Sequence, residues 1–597
     1  MLIDNARRAS LALCALMLAA CAAQPTPNVA NEAEEPVVVT GNRIDGSPPP
    51  PPPPPEQRAL SPDLSAPPAP SPMQTQRRAM EAGASGRVAG AVTAAPYAQW
   101  APQPMPGDVD RDSYEDVDPN PIHIVADEPV STFSIDVDTA SYSNVRRMLN
   151  EGRLPPRDAV RIEELINYFD YDYALPRNRE EPFSTTVAVA PSPWAEGRQL
   201  VHIGLQGYDI VRGQRPPLNL VLLVDVSGSM APANRLPLAL QGFRMLTEQL
   251  TARDKVSIVV YAGAAGAVLE PTPGNDRARI LAALDNLRAG GSTAGGEGLR
   301  LAYALVERHS SPSAVNRVII ATDGDFNVGI NDPQQLQDFV SRKRETGIYL
   351  SVLGFGGGNY NDALMQRLAQ NGNGVAAYID TIAESRRVLS EELNGALFPI
   401  ANDVKIQVEF NPRRVAEYRL IGYETRMLRR EDFNNDRIDA GEIGAGHSVT
   451  AIYEITPVGG PTFNEPLRYQ DRAAPAPSTA NEIAFLRIRY KLPGQDASRL
   501  IERPITEADG FASVERASEA TRWATAVAGY GQLMRGDPYL RQGYGWDDIM
   551  RLAQSARGRD EFGWRAEFIQ LARAAASAAA LPSAQNAPRP EPPQPRR

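Results

Sequence analysis

Asp225-Val-Ser227-Gly-Ser229-Met230 places one carboxylate and two hydroxyls at alternating positions, at the end of the apolar run 218–226. Short oxygen donors of this kind suit a small hard cation. Mg²⁺ takes near-octahedral oxygen ligands at about 2.0 to 2.1 Å and usually keeps some of its waters. Two further signals stand in comparable positions: Gly290-Gly291-Ser292-Thr293 before a helical stretch, and Thr322-Asp323-Gly324 closing a second apolar run. Ligands of open α/β sheets bind at the carboxyl ends of strands, so the three loops are expected to converge on one crevice. The plainer alternative is that Asp and Ser only cap the helices that follow the strands.

A second oxygen-rich stretch is Asp432-Phe-Asn434-Asn-Asp436-Arg-Ile-Asp439-Ala-Gly-Glu442. Its spacing is that of calcium loops, but an EF-hand requires glycine sixth and glutamate twelfth. Here Arg437 is sixth and Glu442 eleventh, so a Ca²⁺ site and a solvated polar hairpin both stay open.

Catalytic alternatives find little support. The four histidines, His123, His202, His309 and His447, include no His-Glu-x-x-His pair, and Ser227 lacks the Gly-x-Ser-x-Gly elbow of hydrolases. Both cysteines, Cys14 and Cys21, stand near the start of the chain, which leaves the rest without thiol chemistry. Asp136-Val-Asp138 reads as a strand end with Asp138 capping the next helix, rather than as a phosphotransferase pair. Gly354-Phe-Gly356-Gly-Gly358 has no dinucleotide-binding register and reads as a flexible strand-end loop. The expectation is a binding protein and not an enzyme.

What must position these residues is a long chain of several parts. Its 597 residues exceed the roughly 100 to 200 of one domain, and 53 prolines require tracts that are neither helix nor sheet. A net charge of −11 has the wrong sign for a protein that works on nucleic-acid phosphates. Continuous Val/Ile/Leu runs at 218–226, 256–261, 315–322, 348–355 and 376–379 alternate with helical spacing at 237–249, 277–287, 296–309, 333–344, 362–369 and 382–393. That pattern predicts a doubly wound α/β domain with a sheet buried on both faces. Period-two alternation at 404–410, 418–423, 448–455 and 483–490 predicts an all-β domain. Strands expected at 131–137, 185–190 and 200–205 precede the α/β unit, so this unit is expected to be inserted into the β domain. Helices are expected at 139–150 and 159–169, and again at 513–535, 546–557 and 561–580.

Arg7 and Arg8 precede a short apolar run, as in a secretory signal peptide. The sequence Leu18-Ala19-Ala20-Cys21 resembles the lipobox of bacterial lipoproteins, which implies acylation of Cys21 and a membrane anchor. Ala22 after the cysteine resembles the outer-membrane sorting pattern; an ordinary cleaved signal would instead leave the protein soluble. The following tract, with an unbroken proline run at 48–55, suits an extended tether. Within it, residues 37–44 resemble a short run found near the start of TonB-dependent receptors.

Asp225, Ser227, Ser229, Thr293 and Asp323 together resemble the metal-ion-dependent adhesion site of von Willebrand factor type A (VWA) domains, with all five motif positions present. The resemblance implies that Ser227, Ser229 and Thr293 ligate Mg²⁺, or Mn²⁺, directly, while Asp225 and Asp323 act through bound waters. It implies a protein partner that supplies an Asp or Glu to the metal, and a helix starting near Ile382 whose movement couples occupancy to the β domain. The stretches 131–173, 420–455 and 522–536 resemble the regions that flank the type A domain in a family of bacterial VWA lipoproteins. These have an N-terminal accessory von Willebrand region and a C-terminal domain of unknown function. The expected organisation is a signal peptide (1–20), lipidated Pro-rich tether (21–121), accessory region (122–182), flanking β strands (183–212), Rossmann-like VWA domain (216–395), β domain (400–510), C-terminal helices (511–580) and tail (581–597). The expected role is Mg²⁺-dependent protein binding by an outer-membrane lipoprotein, facing the periplasm or the cell surface. The alternative is a metal-independent structural or assembly scaffold of the envelope.

Overall fold

Two short strands, β1 (His123–Ile124) and β2 (Val130–Ser134), and two helices, α1 (Ala140–Asn150) and α2 (Ile162–Asn167), precede a pair of strands, β3 (Phe183–Pro191) and β4 (Gln199–Gly207). A βα alternation follows: β5 (Leu218–Asp225), α3 (Leu236–Gln249), β6 (Lys255–Ala262), β7 (Ala264–Pro273), α4 (Arg277–Asp285) and α5 (Gly296–Arg308). It continues through β8 (Val315–Thr322), α6 (Pro333–Glu345), β9 (Ile348–Phe355), α7 (Asp362–Asn371), β10 (Ala376–Ile379) and α8 (Ile382–Arg386). The chain then returns to strands: β11 (Pro399–Phe410), β12 (Val415–Ile421), β13 (Met427–Leu428), β14 (Gly441–Gly444), β15 (Ser448–Pro457), β16 (Glu482–Lys491) and β17 (Ser498–Thr506). Three helices close it, α9 (Glu519–Arg535), α10 (Trp546–Ser555) and α11 (Trp564–Ala580).

This computed structural model describes residues 112–581, apart from 136–137, 178–179, 211–214, 263, 291–295, 325–332, 358–360, 393–396, 439, 466–480 and 542. The expected signal peptide, Cys21, the proline run, the run 37–44, Asp136, Thr293, Asp439 and the tail beyond 581 lie outside the described residues.

The central sheet runs β10-β9-β8-β5-β6-β7, parallel throughout except for the antiparallel edge strand β7. Alternate side chains of β5 serve opposite faces. Leu220, Leu222 and Val224 share a core with Phe243 and Leu246 of α3, whereas Val221 and Leu223 share one with Leu299, Ala302 and Tyr303 of α5. Both faces are covered, as the continuous apolar runs require. The sequence gives no apolar alternation for β7, whose Ala, Gly and Pro content suits only an edge. Chain order reverses between β5 and β8, which makes their carboxyl ends the switch point of the sheet.

Two antiparallel sheets, β1-β12-β15-β4-β3 and β13-β2-β11-β16-β17, form the β domain. Each mixes strands from before and after the α/β unit: Ile203 of β4 pairs with Ala451 of β15, and Phe133 of β2 pairs with Ile406 of β11. The α/β unit is therefore an insertion between strands of this domain. Rings from both sheets interlock, with Phe410 stacked on Tyr418 at 4.3 Å and Phe133 edge-on to Tyr453 at 6.2 Å. The edge strand β17, rich in charge, is absent from the sequence reading because its apolar positions do not alternate cleanly.

The N-terminal helices do not stand apart from the rest. Phe169, which follows α2, packs edge-on against Trp523 of α9 at 5.1 Å and Phe568 of α11 at 5.7 Å. Ser518 caps α9 by accepting the Thr521 N–H at 3.1 Å, and Gly536, with φ +67°, ends it. The helix expected at 159–169 is shorter, because a 3₁₀ turn at Arg157–Ala159 and the extended Arg161 delay its start. Asp138 does not cap α1. Its carboxylate accepts the Ala376 N–H of β10 at 2.9 Å and pairs with Arg426 at 3.3 Å, tying the accessory region to both other domains. The docked chain also begins before 122: Asp112 pairs with Arg147 of α1 at 2.5 Å, and Asn120 donates to the carbonyls of Leu420 and Gly422.

Candidate metal centre

Two of the three predicted loops come together at the switch point within the described residues, and the edge of the third joins them. Asp225 ends β5 and is buried; its Oδ1 accepts the Ser227 N–H at 2.8 Å and its Oδ2 accepts the Thr322 hydroxyl at 3.3 Å. The first bond turns the backbone into the 3₁₀ turn Gly228–Met230, which Met230 pins from below as a fully buried side chain. The turn brings the hydroxyls of Ser227 and Ser229 to 3.0 Å from each other. From the next loop, Gly290 donates to the Val226 carbonyl at 2.8 Å, so the chain that leads to Thr293 starts at the same edge. Thr293 itself is outside the described residues.

Asp323, directly after β8, is buried, and its two oxygens differ. Oδ2 accepts from Arg235 at 2.5 Å, whereas Oδ1 is buried with no hydrogen-bond partner. A buried carboxylate oxygen without a donor is costly unless a ligand or water meets it. Burial pushes the Asp225 carboxyl above its ordinary value, the bonds from Ser227 oppose this, and the charge of Asp323 adds to the rise. The two carboxylates therefore sense each other, and a cation between them would relieve both.

The donor set decides which cation fits. Among the described residues no three His, Cys, Asp or Glu side chains gather as a metal site. A cation held here depends on hydroxyl oxygens, which suits Mg²⁺ or Mn²⁺ and not Zn²⁺.

Arg235 is the residue the sequence reading lacks at this site. Nothing in its spacing marks it, since it stands before α3 as an unremarkable polar residue. Gly354-Phe-Gly356-Gly also differs from the expected free loop: Tyr378 donates to the Gly356 carbonyl, and Arg235 donates to the Gly357 carbonyl at 2.8 Å. Gly358 is outside the described residues.

Among the described residues the calcium candidates do not gather as a metal site; each is engaged by a protein donor. Asp432 accepts from Arg429, Asn434 and Asp436 accept from Arg489, Asp436 also accepts from Ser498, and Glu442 accepts from Asn373. Asp439 lies outside the described residues. The Lys405 ammonium also donates to the carbonyls of Asp432 and Asn435 at 3.2 and 2.6 Å, which places a positive charge beside the loop. The hairpin reading fits this arrangement, with protein cations standing where a metal would.

None of the histidines is a hydrogen-bond partner of Asp225, Ser227, Ser229 or Asp323 among the described bonds. His202 is buried against Tyr173, and His123 pairs with Glu128. A cavity of about 560 Å³ lies elsewhere, where α2, β14 and α11 meet. Two of its lining arginines are engaged within the protein, Arg387 with Glu384 and Arg426 with Asp138. Volume therefore does not coincide with the chemistry at the switch point.

Comparison with known proteins agrees with this architecture. The sequence matches the family descriptions "von Willebrand factor" over residues 108–202, "von Willebrand factor type A domain" over 220–325 and "Uncharacterized protein YfbK, C-terminal" over 395–578. It is 44% identical to the uncharacterized protein YfbK of Escherichia coli (strain K12) over 465 residues, covering 77% of this chain and 80% of that one. Human inter-alpha-trypsin inhibitor heavy chain H3 is 24% identical, over 48% of this chain and 32% of its own length. Among solved structures, a von Willebrand factor type A protein from Catenulispora acidiphila is 15% identical, with 68% of this chain and 98% of that one covered and a TM-score of 0.37. The type A domain makes protein–protein interaction the coarse functional class, since its homologues are generally interaction modules rather than enzymes. With this identity over most of both chains, the protein belongs to the YfbK family, built around a von Willebrand factor type A domain.

Proposed function

We propose that this protein is an envelope lipoprotein that binds a protein partner through a Mg²⁺ ion held at the carboxyl ends of β5 and β8. The observation that carries the reading is the buried, unpartnered Asp323 Oδ1 in the same crevice as Asp225 and the paired Ser227 and Ser229 hydroxyls. Ser227, Ser229 and Thr293 would hold the ion, and Asp225 and Asp323 would supply its counter-charge. A bound Mg²⁺ supplies Lewis acidity toward a carboxylate, so a partner Asp or Glu would complete its shell. The anchor would be Cys21, the prolines that follow would set the reach, and the outer membrane is the proposed address. Among the described residues no helix is long and apolar enough to cross a membrane.

One observation favours the scaffold reading. Arg235 already neutralises one oxygen of Asp323 and bridges the loops, so they are held together without a metal. Titration calorimetry separates the two readings. Mg²⁺ binding at one site in the full chain, lost in Asp225→Ala, supports docking; absence of Mg²⁺ and Mn²⁺ binding leaves the scaffold reading.

A further inference from the structure

We infer that Arg235 sets the ligand preference of the metal site: it is a resident cation that weakens the grip on the metal and leaves the loaded site positive toward carboxylates. This rests on the metal-dependent reading above and assigns a role to a residue outside the adhesion-site motif.

The guanidinium spans three loops. One nitrogen donates to Asp323 Oδ2 at 2.5 Å and to the Ser229 carbonyl at 2.8 Å, and the other donates to the Gly357 carbonyl at 2.8 Å. It takes the carbonyl of Ser229 and not the hydroxyl, whose partner is the Ser227 hydroxyl. The backbone is shaped to receive it. Gly356 has φ +71°, and a Cβ there would fall 2.3 Å from Arg235 Nε. Gly357 is backed from the accessory region, where a Cβ would meet Arg147 Nη1 at 2.7 Å. The Arg235 side chain is only 13% exposed, so its charge is poorly screened.

Two carboxylates, one guanidinium and a divalent ion leave one net positive charge. Without Arg235 the loaded site would be neutral. The guanidinium therefore opposes the metal and favours an anionic ligand, and the two effects have opposite signs. Damage to the loops would weaken both kinds of binding, so opposite signs distinguish a charge role from a structural one.

The test uses the full chain, Mn²⁺ as the metal probe and acetate as the carboxylate probe, read by water proton relaxation as acetate displaces metal-bound water. In Arg235→Gln, Mn²⁺ should bind roughly 10-fold tighter and acetate should bind the loaded protein several-fold more weakly, as expected for removing one charge a few ångströms away. Arg235→Lys keeps the charge and should stay near wild type in both. If Arg235→Gln folds poorly, Gly356→Ala displaces the guanidinium while leaving it in the chain and should move both constants the same way as Arg235→Gln. Mn²⁺ affinity that is unchanged or lower in these variants overturns the inference while the metal site stands. Absence of Mn²⁺ uptake by the wild type overturns the metal reading itself, and the inference with it.

Discussion

Arg146 of α1 and Glu384 of α8 lie 2.7 Å apart, each with 1% of its side chain exposed, and join the accessory region to the last helix of the type A domain. Tyr168 also donates to Glu384 at 2.7 Å, and Arg387 does so at 3.2 Å. Burial pushes the Glu384 carboxyl up, but Arg387 and Arg146 outweigh it and hold it below its ordinary value. The helix that the family resemblance expects to move is thus tied by a buried charge cluster, and any displacement must open it. Removing Glu384 takes a buried carboxylate from both Arg146 and Arg387, although Arg146 keeps Asp380 and Glu567. Glu384→Ala should therefore lose roughly 3 to 5 kcal/mol of unfolding free energy in a urea titration. A loss below about 1 kcal/mol would show that α8 is free to shift.

Trp523 connects the C-terminal helices to the accessory region. It is fully buried, with Phe169 at 5.1 Å and Phe568 at 5.3 Å. Trp523→Ala should cost roughly 3 to 5 kcal/mol and melt α1, α2 and the C-terminal helices as one unit. Separate transitions by fluorescence and circular dichroism would contradict a shared core.

Two buried groups give stability opposite dependences on pH. Burial pushes the Glu163 carboxyl from 4.5 up to about 7, with the charges of Glu424 and Glu164 adding to it. Its contribution is complete below pH 4.5 and is lost as pH rises through 7. Burial pushes the His202 imidazole from 6.5 down to about 4, so its contribution is complete above pH 6.5 and is lost as pH falls through 4. Between pH 4.5 and 6.5 the slopes oppose each other. Glu163→Gln removes one of them, and the stability of the variant relative to wild type should rise by up to about 3 kcal/mol between pH 5 and pH 8. A pH-independent difference would contradict the assignment.

The stretch 432–442 should ignore calcium. Lys405, Arg489 and Lys491 already neutralise its oxygens, with Lys491 donating to the Asp436 carbonyl at 2.9 Å. Millimolar Ca²⁺ should leave Tm unchanged in wild type and in Asp436→Asn alike. A rise in Tm that Asp436→Asn abolishes would restore a calcium site.

The parts of this architecture legible in the sequence are those where one physical pattern dominates. Buried parallel strands such as β5 and β8 are unbroken apolar runs, and Asp225 and Asp323 stand at their ends, so both the sheet and the crevice can be read. The insertion is legible because strands flank the α/β unit on both sides. Edge strands such as β7 are not, because only one side of an edge is paired and its side chains are free of the core pattern. Long-range partners are also hidden. Spacing does not show that Arg235 reaches Asp323 or that Lys405 fills the loop at Asp432, since each contact joins segments far apart in sequence. Asp138 shows the limit of local rules: its place before a helix predicts a cap, yet Ala376 and Arg426 claim it.

The most direct test of metal-dependent docking is capture of envelope proteins by the full chain in Mg²⁺ and in EDTA, beside Asp225→Ala and Ser229→Ala. Metal-dependent docking predicts a partner retained by wild type in Mg²⁺, released by EDTA and missing from both variants. A partner retained equally under all four conditions would contradict it and assign the binding surface to the β domain and the accessory helices.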